Sequence, residues 1–80
     1  MKVTLYVKNG DPHSDMVRNL LRYHDITFEM IDVSRNIEKQ KELQEISGQT
    51  NTPVLKLDDK IFIGFDLEKI KEVLGINKNE

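Results

Sequence analysis

The sequence predicts an α/β protein with a four-stranded mixed sheet and three helices, in the order βαβαββα. Segments rich in β-branched and aromatic residues alternate with segments whose apolar residues recur at helical spacing. Two predicted strands are separated only by Asp58-Asp59, as in an antiparallel hairpin. Because half of an 80-residue chain is too short for its own core, residues 1–80 are expected to form a single domain. Order is expected over about residues 2–76, with a frayed polar tail at 77–80.

The composition argues against several classes of function. The chain is 38% hydrophobic and 32% charged, with a net charge of −2 and no cysteine. A charge so small and mixed does not favour nucleic acid or an anionic membrane as a partner. No apolar run approaches the ~20 residues that span a bilayer. Met1 leads directly into a strand pattern without an apolar signal segment, so we expect a cytoplasmic protein, and a monomer.

The first three elements are predicted to form a parallel unit. Residues 2–7 are typical of a short buried strand, and a helix is predicted over 12–24. Pro12 fits the first helical position, and Asp11 suits the N-cap before it. A second strand follows at 27–33, and a strand, a helix and a strand in succession indicate a βαβ unit.

The second half is predicted to contain two helices around a hairpin. The first helix covers 36–47, is capped by Ser34 or Asn36 and stops at Gly48; its few apolar residues predict that it is mostly exposed. The remaining elements are expected to be strands at 53–57 and 60–63 and a helix at 67–74, capped by Asp66 and ended by Gly75.

Residues 8–14 join the first strand to the first helix. Such a turn presents unpaired backbone N–H groups and the positive end of a helix dipole, and both stabilise an anion. Its central positions read Asp11-Pro12-His13-Ser14.

The order of elements resembles the thioredoxin fold in its shortest form, and over about residues 3–76 the chain is similar to small bacterial glutaredoxin-like redoxins. The resemblance rests on four segments that follow the family's order and spacing: residues 5–10 before the active-site box, 28–33 in the second strand, 48–53 before the cis-proline, and 64–70 in the turn into the last helix. The family's Cys-Pro-x-Cys box is here Asp11-Pro12-His13-Ser14.

By this resemblance, Asp11 stands in the place of the nucleophilic cysteine and Ser14 in that of the resolving cysteine. Thiol–disulfide exchange requires a thiolate that attacks a disulfide sulfur, which neither a carboxylate nor a hydroxyl can replace. We therefore expect the chain to be inactive as a disulfide reductase. A helix N-terminus that favours a thiolate also favours a carboxylate by about 0.3–1 kcal/mol, so Asp11 is interpreted as a helix cap in a site without its chemistry.

The resemblance also implies a cis peptide bond at Thr52–Pro53, beside Asp11 and Ser14. The backbone before this proline would offer its N–H and C=O to an extended peptide or to glutathione. A proline that merely starts the third strand is the alternative. The residues expected to line this groove are Lys8, Pro12, His13, Thr52, Pro53, Gly64, Phe65 and Asp66.

Glutathione is supported only in part by the resemblance, and no other cofactor is predicted. Lys8 matches a family lysine that pairs with a glutathione carboxylate, although a merely solvated lysine explains it equally well. Gly64 and Asp66 match part of the pattern that holds the γ-glutamyl end. Three further anchor positions depart from the family: Ile63, Leu67 and Thr50. We expect glutathione to bind weakly or not at all.

Large apolar side chains on strand and turn positions are predicted to pack in the core: Tyr6, Phe28, Met30, Phe62 and Phe65. Phe65 is also placed to border the groove beside Pro53. Hydrolytic chemistry is not indicated, because Asp11, His13 and Ser14 fall within one helical turn and point in different directions. No metal is expected, since His13 and His24 lack a third ligand at a fitting spacing.

The favoured interpretation is a glutaredoxin-like protein without redox thiols that keeps a groove for a peptide or a thiol. The first alternative is a thiol–disulfide oxidoreductase, from a family that carries electrons, whose two cysteines have been replaced by substitution. The second is a purely structural domain.

Overall fold

The computed structural model describes residues 2–76, and the polar tail expected to be frayed, 77–80, lies outside them. The elements are β1 (Val3–Val7), α1 (Pro12–Tyr23), β2 (Glu29–Asp32), α2 (Ile37–Ser47), β3 (Val54–Leu57), β4 (Lys60–Ile63) and α3 (Leu67–Leu74). This arrangement confirms the predicted βαβαββα order. Within the described residues, no helix is both long and apolar enough to cross a membrane.

The four strands form one mixed sheet in the order β2-β1-β3-β4. β1 pairs with β2 in parallel, as the βαβ pattern predicts, and with β3 antiparallel. β3 and β4 form the expected hairpin, whose two-residue turn places Asp58 at a φ of 53°. The Asp58 carboxylate accepts a hydrogen bond from the N–H of Lys2 at 2.8 Å, which ties this turn to the start of the chain.

Short polar side chains begin each helix. Asp11, Asn36 and Asp66 are the N-caps of α1, α2 and α3, and each accepts a hydrogen bond from a backbone N–H of the first turn. Asn36, rather than Ser34, caps α2. Gly48 and Gly75 end α2 and α3 with φ values of 75° and 73°, a left-handed conformation that glycine adopts without steric cost.

The core lies on both faces of β1 and β3, because successive strand residues point to opposite sides of a sheet. On one face, α1 and α3 pack on the sheet with the buried residues Val3, Leu5, Val7, Val17, Leu21, Leu55, Leu57 and Ile70. On the other face, α2 contributes Leu43 to a smaller cluster with Tyr6, Val33 and Val54. All the remaining residues of α2 are half-buried or exposed, as its few apolar positions predict.

The prediction that the large apolar side chains are core residues is wrong at two positions. Tyr6 is buried, and Phe28 and Phe62 pack partly buried against the core. Met30, however, is 44% exposed, because β2 is an edge strand with one neighbour. Phe65 is 36% exposed, because it lies in the connection from β4 to α3 and not on a strand or a helix.

Candidate functional site

Asp11 connects two loops that are far apart in the sequence. The turn before it contains Gly10 at a φ of 84°, and Asp11 then begins α1 as its N-cap. Its Oδ1 accepts a hydrogen bond from the N–H of His13 at 3.1 Å. Its Oδ2 accepts hydrogen bonds from Ser14 Oγ at 2.9 Å and from Thr52 Oγ1 at 2.7 Å. The carboxylate therefore ties the start of α1 to the loop that precedes β3.

These hydrogen bonds hold Asp11 in its ionised form. The hydroxyl of Thr52 is the largest cause that lowers the pKa of the Asp11 carboxyl below its ordinary value of 3.8; Ser14 and the first-turn backbone add to it, and partial burial opposes them. The dipole of α1 acts in the same direction. Within residues 2–76 no lysine or arginine forms an ion pair with Asp11. A negative charge without a cationic partner therefore lies at the mouth of the helix at neutral pH.

The two positions that replace the family's cysteines differ in access. Asp11 is half-buried, whereas Ser14 is only 1% exposed. Ser14 uses its hydroxyl hydrogen to donate to Asp11, so this buried polar group is satisfied.

The loop before β3 carries the second part of the site. The peptide bond between Thr52 and Pro53 is cis. The ladders that pair β3 with its two neighbours both end at Val54, so neither reaches Thr52. The N–H and C=O of Thr52 also take no part in the backbone hydrogen bonds that join turns and loops within residues 2–76. Thr52 thus presents backbone donor and acceptor groups beside Asp11.

The turn that leaves β4 is the third part of the site. The N–H of Gly64 donates to the C=O of Pro53 at 3.0 Å, which joins this turn to the loop before β3. The next residue, Phe65, stacks on His13 of α1 with ring centroids 4.5 Å apart and an angle of 11° between the rings. Both side chains are exposed and form an aromatic pair beside the site.

The structure brings together most of the residues predicted to line the groove. One hydrogen-bond network joins Asp11, Ser14 and Thr52. The C=O of Pro53 accepts a hydrogen bond from Gly64, and the ring of His13 is stacked on that of Phe65. Pro12 is the exposed first residue of α1. Asp66 is exposed at the start of α3, where its carboxylate accepts from the N–H of Lys69 at 3.2 Å.

Lys8 lies apart from this group. Its backbone C=O accepts a hydrogen bond from the N–H of Asp11 at 3.1 Å. It also lines a cavity between α1 and the edge strand β2, together with Asp15, Arg18 and Met30. Lys8 therefore faces a different recess from the one beside Pro53.

The arrangement does not assemble a hydrolytic site. The hydroxyl of Ser14 donates to a carboxylate, and the ring of His13 is stacked on Phe65 instead of serving as the base for that hydroxyl. His24 lies at the opposite end of α1, as its C-cap. Within the described part of the chain, no group of three His, Cys, Asp or Glu residues is placed to hold a metal ion.

Besides the stacking of His13 on Phe65, two hydrogen-bonded contacts of the site are absent from the sequence-based predictions. The first is the side chain of Thr52, for which only a backbone role was expected. The second is a pair of hydrogen bonds that hold the loop after β1. The Oγ of Ser34 accepts a hydrogen bond from the N–H of Asn9 at 3.1 Å and donates one to Asp32. The short pattern Asp32-Val33-Ser34 is the signal for this turn, because Asp side chains often bond the backbone two residues further on.

Comparisons with known proteins agree with this geometry. A curated relative, the uncharacterised glutaredoxin-like 8.6 kDa protein in the rubredoxin operon of Clostridium pasteurianum, is 22% identical over 90% of this chain and 96% of its own. A mutant of the thioredoxin-like protein BC3987 superposes with a TM-score of 0.89, with 24% identity over 95% of this chain and 97% of that one. The glutaredoxin-like NrdH-redoxin of Escherichia coli, described as having a thioredoxin-like activity profile, superposes with a TM-score of 0.76. It is 25% identical, over 91% of this chain and 95% of that one.

These matches show that the four-stranded sheet and three helices form a thioredoxin-like fold. The family model described as glutaredoxin matches residues 3–63, which is well over half of the 80-residue chain and includes the Asp11–Thr52 connection. The chain belongs to the glutaredoxin family.

Proposed function

We propose that this chain is a binding module of the glutaredoxin family that has lost disulfide reductase activity and keeps a groove for an extended peptide. Of the residues expected to form this groove, 8–14, 52–53 and 64–66, the proposal keeps 11–14, 52–53 and 64–66, because Lys8 lines the cavity between α1 and β2. The observation that carries the proposal is the Asp11 carboxylate, which lies in the helix-mouth position of the redox thiol and is bonded to Ser14 and Thr52.

The loss of reductase activity follows from the chemistry of the replaced groups. Thiol–disulfide exchange proceeds through a mixed disulfide, and the chain has no cysteine with which to form one. The carboxylate of Asp11 is a poor nucleophile toward sulfur. The hydroxyl of Ser14 is buried and already donates its proton to Asp11, so it is not available to a substrate.

Binding of a peptide is supported by the groups that remain. Thr52 presents an N–H and a C=O outside the sheet ladders, which is the pairing that an added strand segment uses. His13 and Phe65 offer an exposed aromatic surface next to it. The hydrogen bond from Gly64 to Pro53 fixes the spacing of the two loops, so little order has to be gained on binding.

Glutathione matches the groove less well than a peptide. It carries two carboxylates, and the ionised Asp11 repels an anionic ligand. Lys8, the residue that would pair with one of these carboxylates, lines the cavity on the β2 side. We therefore expect glutathione to bind weakly or not at all.

A reductase assay tests the catalytic part of the proposal. The wild-type chain should reduce a model disulfide with glutathione and glutathione reductase no faster than the background reaction. The double variant Asp11→Cys/Ser14→Cys should gain activity, because the helix mouth and the loop of Pro53 would then surround a dithiol. Turnover by the wild-type chain would overturn the proposal. An inactive but folded double variant would show that the groove no longer serves catalysis.

An NMR titration tests the binding part. The neutral peptide acetyl-Ala-Val-Met-Val-Ala-amide should cause saturable shifts of the backbone amides of Thr52, Gly64 and Phe65. The amide of Asp59, in the turn at the other end of the β3–β4 hairpin, is the internal control and should not move. Flat titrations at all of these amides into the millimolar range would contradict a peptide groove.

A further inference from the structure

We propose that the groove selects a peptide carrying a basic side chain, arginine above all, which would lie between the carboxylate of Asp11 and the exposed ring of Phe65. This inference rests on the proposed peptide-binding function and adds the class of partner. It follows from the charge, the aromatic surface and the backbone groups that the three loops bring together.

The charge of the groove is negative and unbalanced. Asp11 and Asp66 lie on the first and third loops, and neither forms an ion pair within residues 2–76. Neither of the neighbouring cations pairs with these carboxylates: Lys69 lies over the ring of Phe62, 5.9 Å from its centroid, and Lys8 lines the cavity on the β2 side. Hydrogen bonds from Ser14 and Thr52 spread the charge of Asp11 without cancelling it. A cationic partner would supply the missing counter-charge.

The aromatic surface favours arginine over lysine. A guanidinium is planar and stacks on aromatic faces, and one of its N–H groups could donate to Asp11 Oδ1, which accepts only one hydrogen bond in the structure. The rings of His13 and Phe65 are stacked face to face, so each ring covers one face of the other, and both side chains remain partly exposed near the start of α1. An arginine would therefore contact the ring and the carboxylate together, whereas a lysine ammonium provides a point charge only.

The backbone of Thr52 sets how such a peptide would lie. Its N–H and C=O lie outside the sheet ladders, and because β3 is already paired on both sides, an extended segment that pairs with Thr52 would run along the loop that precedes β3. Side chains of an extended segment alternate between two sides, so every second residue would face Asp11 and Phe65. A single arginine at one of these positions would therefore be enough to contact Asp11 and Phe65.

Three peptides that differ in one residue test the inference. The probes are acetyl-Ala-Val-Xaa-Val-Ala-amide with methionine, arginine or glutamate in the central position, titrated into the 15N-labelled full chain. We expect the arginine peptide to bind about tenfold more tightly than the methionine peptide, and the glutamate peptide more weakly than both. Asp11→Asn should remove most of the arginine preference, because it keeps a side-chain acceptor and loses the charge. Phe65→Leu should weaken the binding of both peptides and that of the arginine peptide by the larger factor, because leucine has no aromatic face for a guanidinium.

The control is Asp59→Asn, which changes the net charge by the same amount in the turn between β3 and β4, at the far end of the hairpin. It should keep the full arginine preference. Equal affinity for all three peptides would overturn the inference and leave the peptide groove intact. Absence of binding by any peptide would overturn the proposed function as well. An undiminished arginine preference in a folded Asp11→Asn variant would place the cation elsewhere and also overturn the inference.

Discussion

Asp11 connects three features of the molecule through one carboxylate. It caps α1, satisfies the buried hydroxyl of Ser14 and bonds the side chain of Thr52, 41 residues further along the chain. A cysteine in this position would not form the same network, because a thiolate is a weaker acceptor with one atom instead of two. The substitution therefore exchanges a reactive group for a structural connection.

The charge of Asp11 should make part of the stability depend on pH. Since its pKa is lowered on folding, its charge stabilises the folded state above the ordinary value of 3.8, and this contribution is lost as the pH falls through the folded-state pKa. Asp11→Asn should lower the free energy of unfolding by about 0.5–1 kcal/mol at neutral pH. The difference from the wild-type protein should shrink as the pH falls below 3.8. Urea unfolding at a series of pH values measures both quantities.

Asp59→Asn is the matched control for this experiment, because Asp59 is an exposed turn residue. Asp32 and Glu42 also have lowered pKa values, through the hydroxyls of Ser34 and Tyr6, and keep their acid sensitivity in every variant. The comparison thus isolates Asp11. A constant difference across the whole pH range would mean that the contribution of Asp11 does not depend on its charge.

α2 buries few of its side chains. Only Leu43 is fully buried, and two hydrogen bonds join the helix to the sheet side: the hydroxyl of Tyr6 donates to Glu42 at 2.6 Å, and Gln40 Nε2 donates to the C=O of Val33 at 2.7 Å. Burial and the acceptor Glu42 raise the pKa of Tyr6 far above its ordinary value, so Tyr6 remains a donor in the folded protein. Leu43 is thus the one fully buried side chain of the helix that covers the second face of the sheet.

Truncation of the Leu43 side chain should therefore strongly lower the free energy of unfolding. Leu43→Ala should lower the free energy of unfolding by about 2–5 kcal/mol, because it removes a side chain with no exposed surface and leaves a cavity. Ile37→Ala, in the same helix but 68% exposed, should change it by less than about 0.5 kcal/mol. Urea unfolding followed by circular dichroism measures both variants. Similar losses for the two would mean that α2 packs through a different face.

On the scale of the whole molecule, the protection of backbone amides against hydrogen exchange should decrease from the centre of the sheet to its edges. β1 and β3 are covered on both faces and have neighbours on both sides, whereas β2 and β4 are edge strands. Native-state hydrogen exchange should find the slowest amides in β1 and β3, and these should exchange only by global unfolding. The paired amides of β2 should exchange faster. Equal protection of β1 and β2 would contradict this order.

The sequence predicts the fold well because most of its determinants are local. Asn36 caps a helix whose accepting N–H lies three residues away, and Gly48 and Gly75 end helices with their own backbone conformation. The Asp58-Asp59 turn likewise defines the hairpin on its own. These signals need no knowledge of distant residues, so patterns in the chain are sufficient to predict them.

The parts that the sequence did not predict depend on distant residues. Two contacts form only when the three loops lie together in the folded protein: the hydrogen bond from Thr52 to Asp11 and the stacking of His13 on Phe65. The exposure of Met30 depends on β2 being at an edge, which follows from strand order and not from the residues of β2. The sequence thus predicted that these loops lie close together, but not how their side chains connect.

The unequal access of Asp11 and Ser14 has a practical consequence for labelling. A single Asp11→Cys variant would contain one sulfhydryl in the entire protein, half open to solvent at the rim of the groove. Alkylating reagents would reach it, whereas a sulfhydryl at position 14 would be shielded by its burial. A fluorophore attached there would report directly on whatever enters the cleft, with no competing attachment point to remove first.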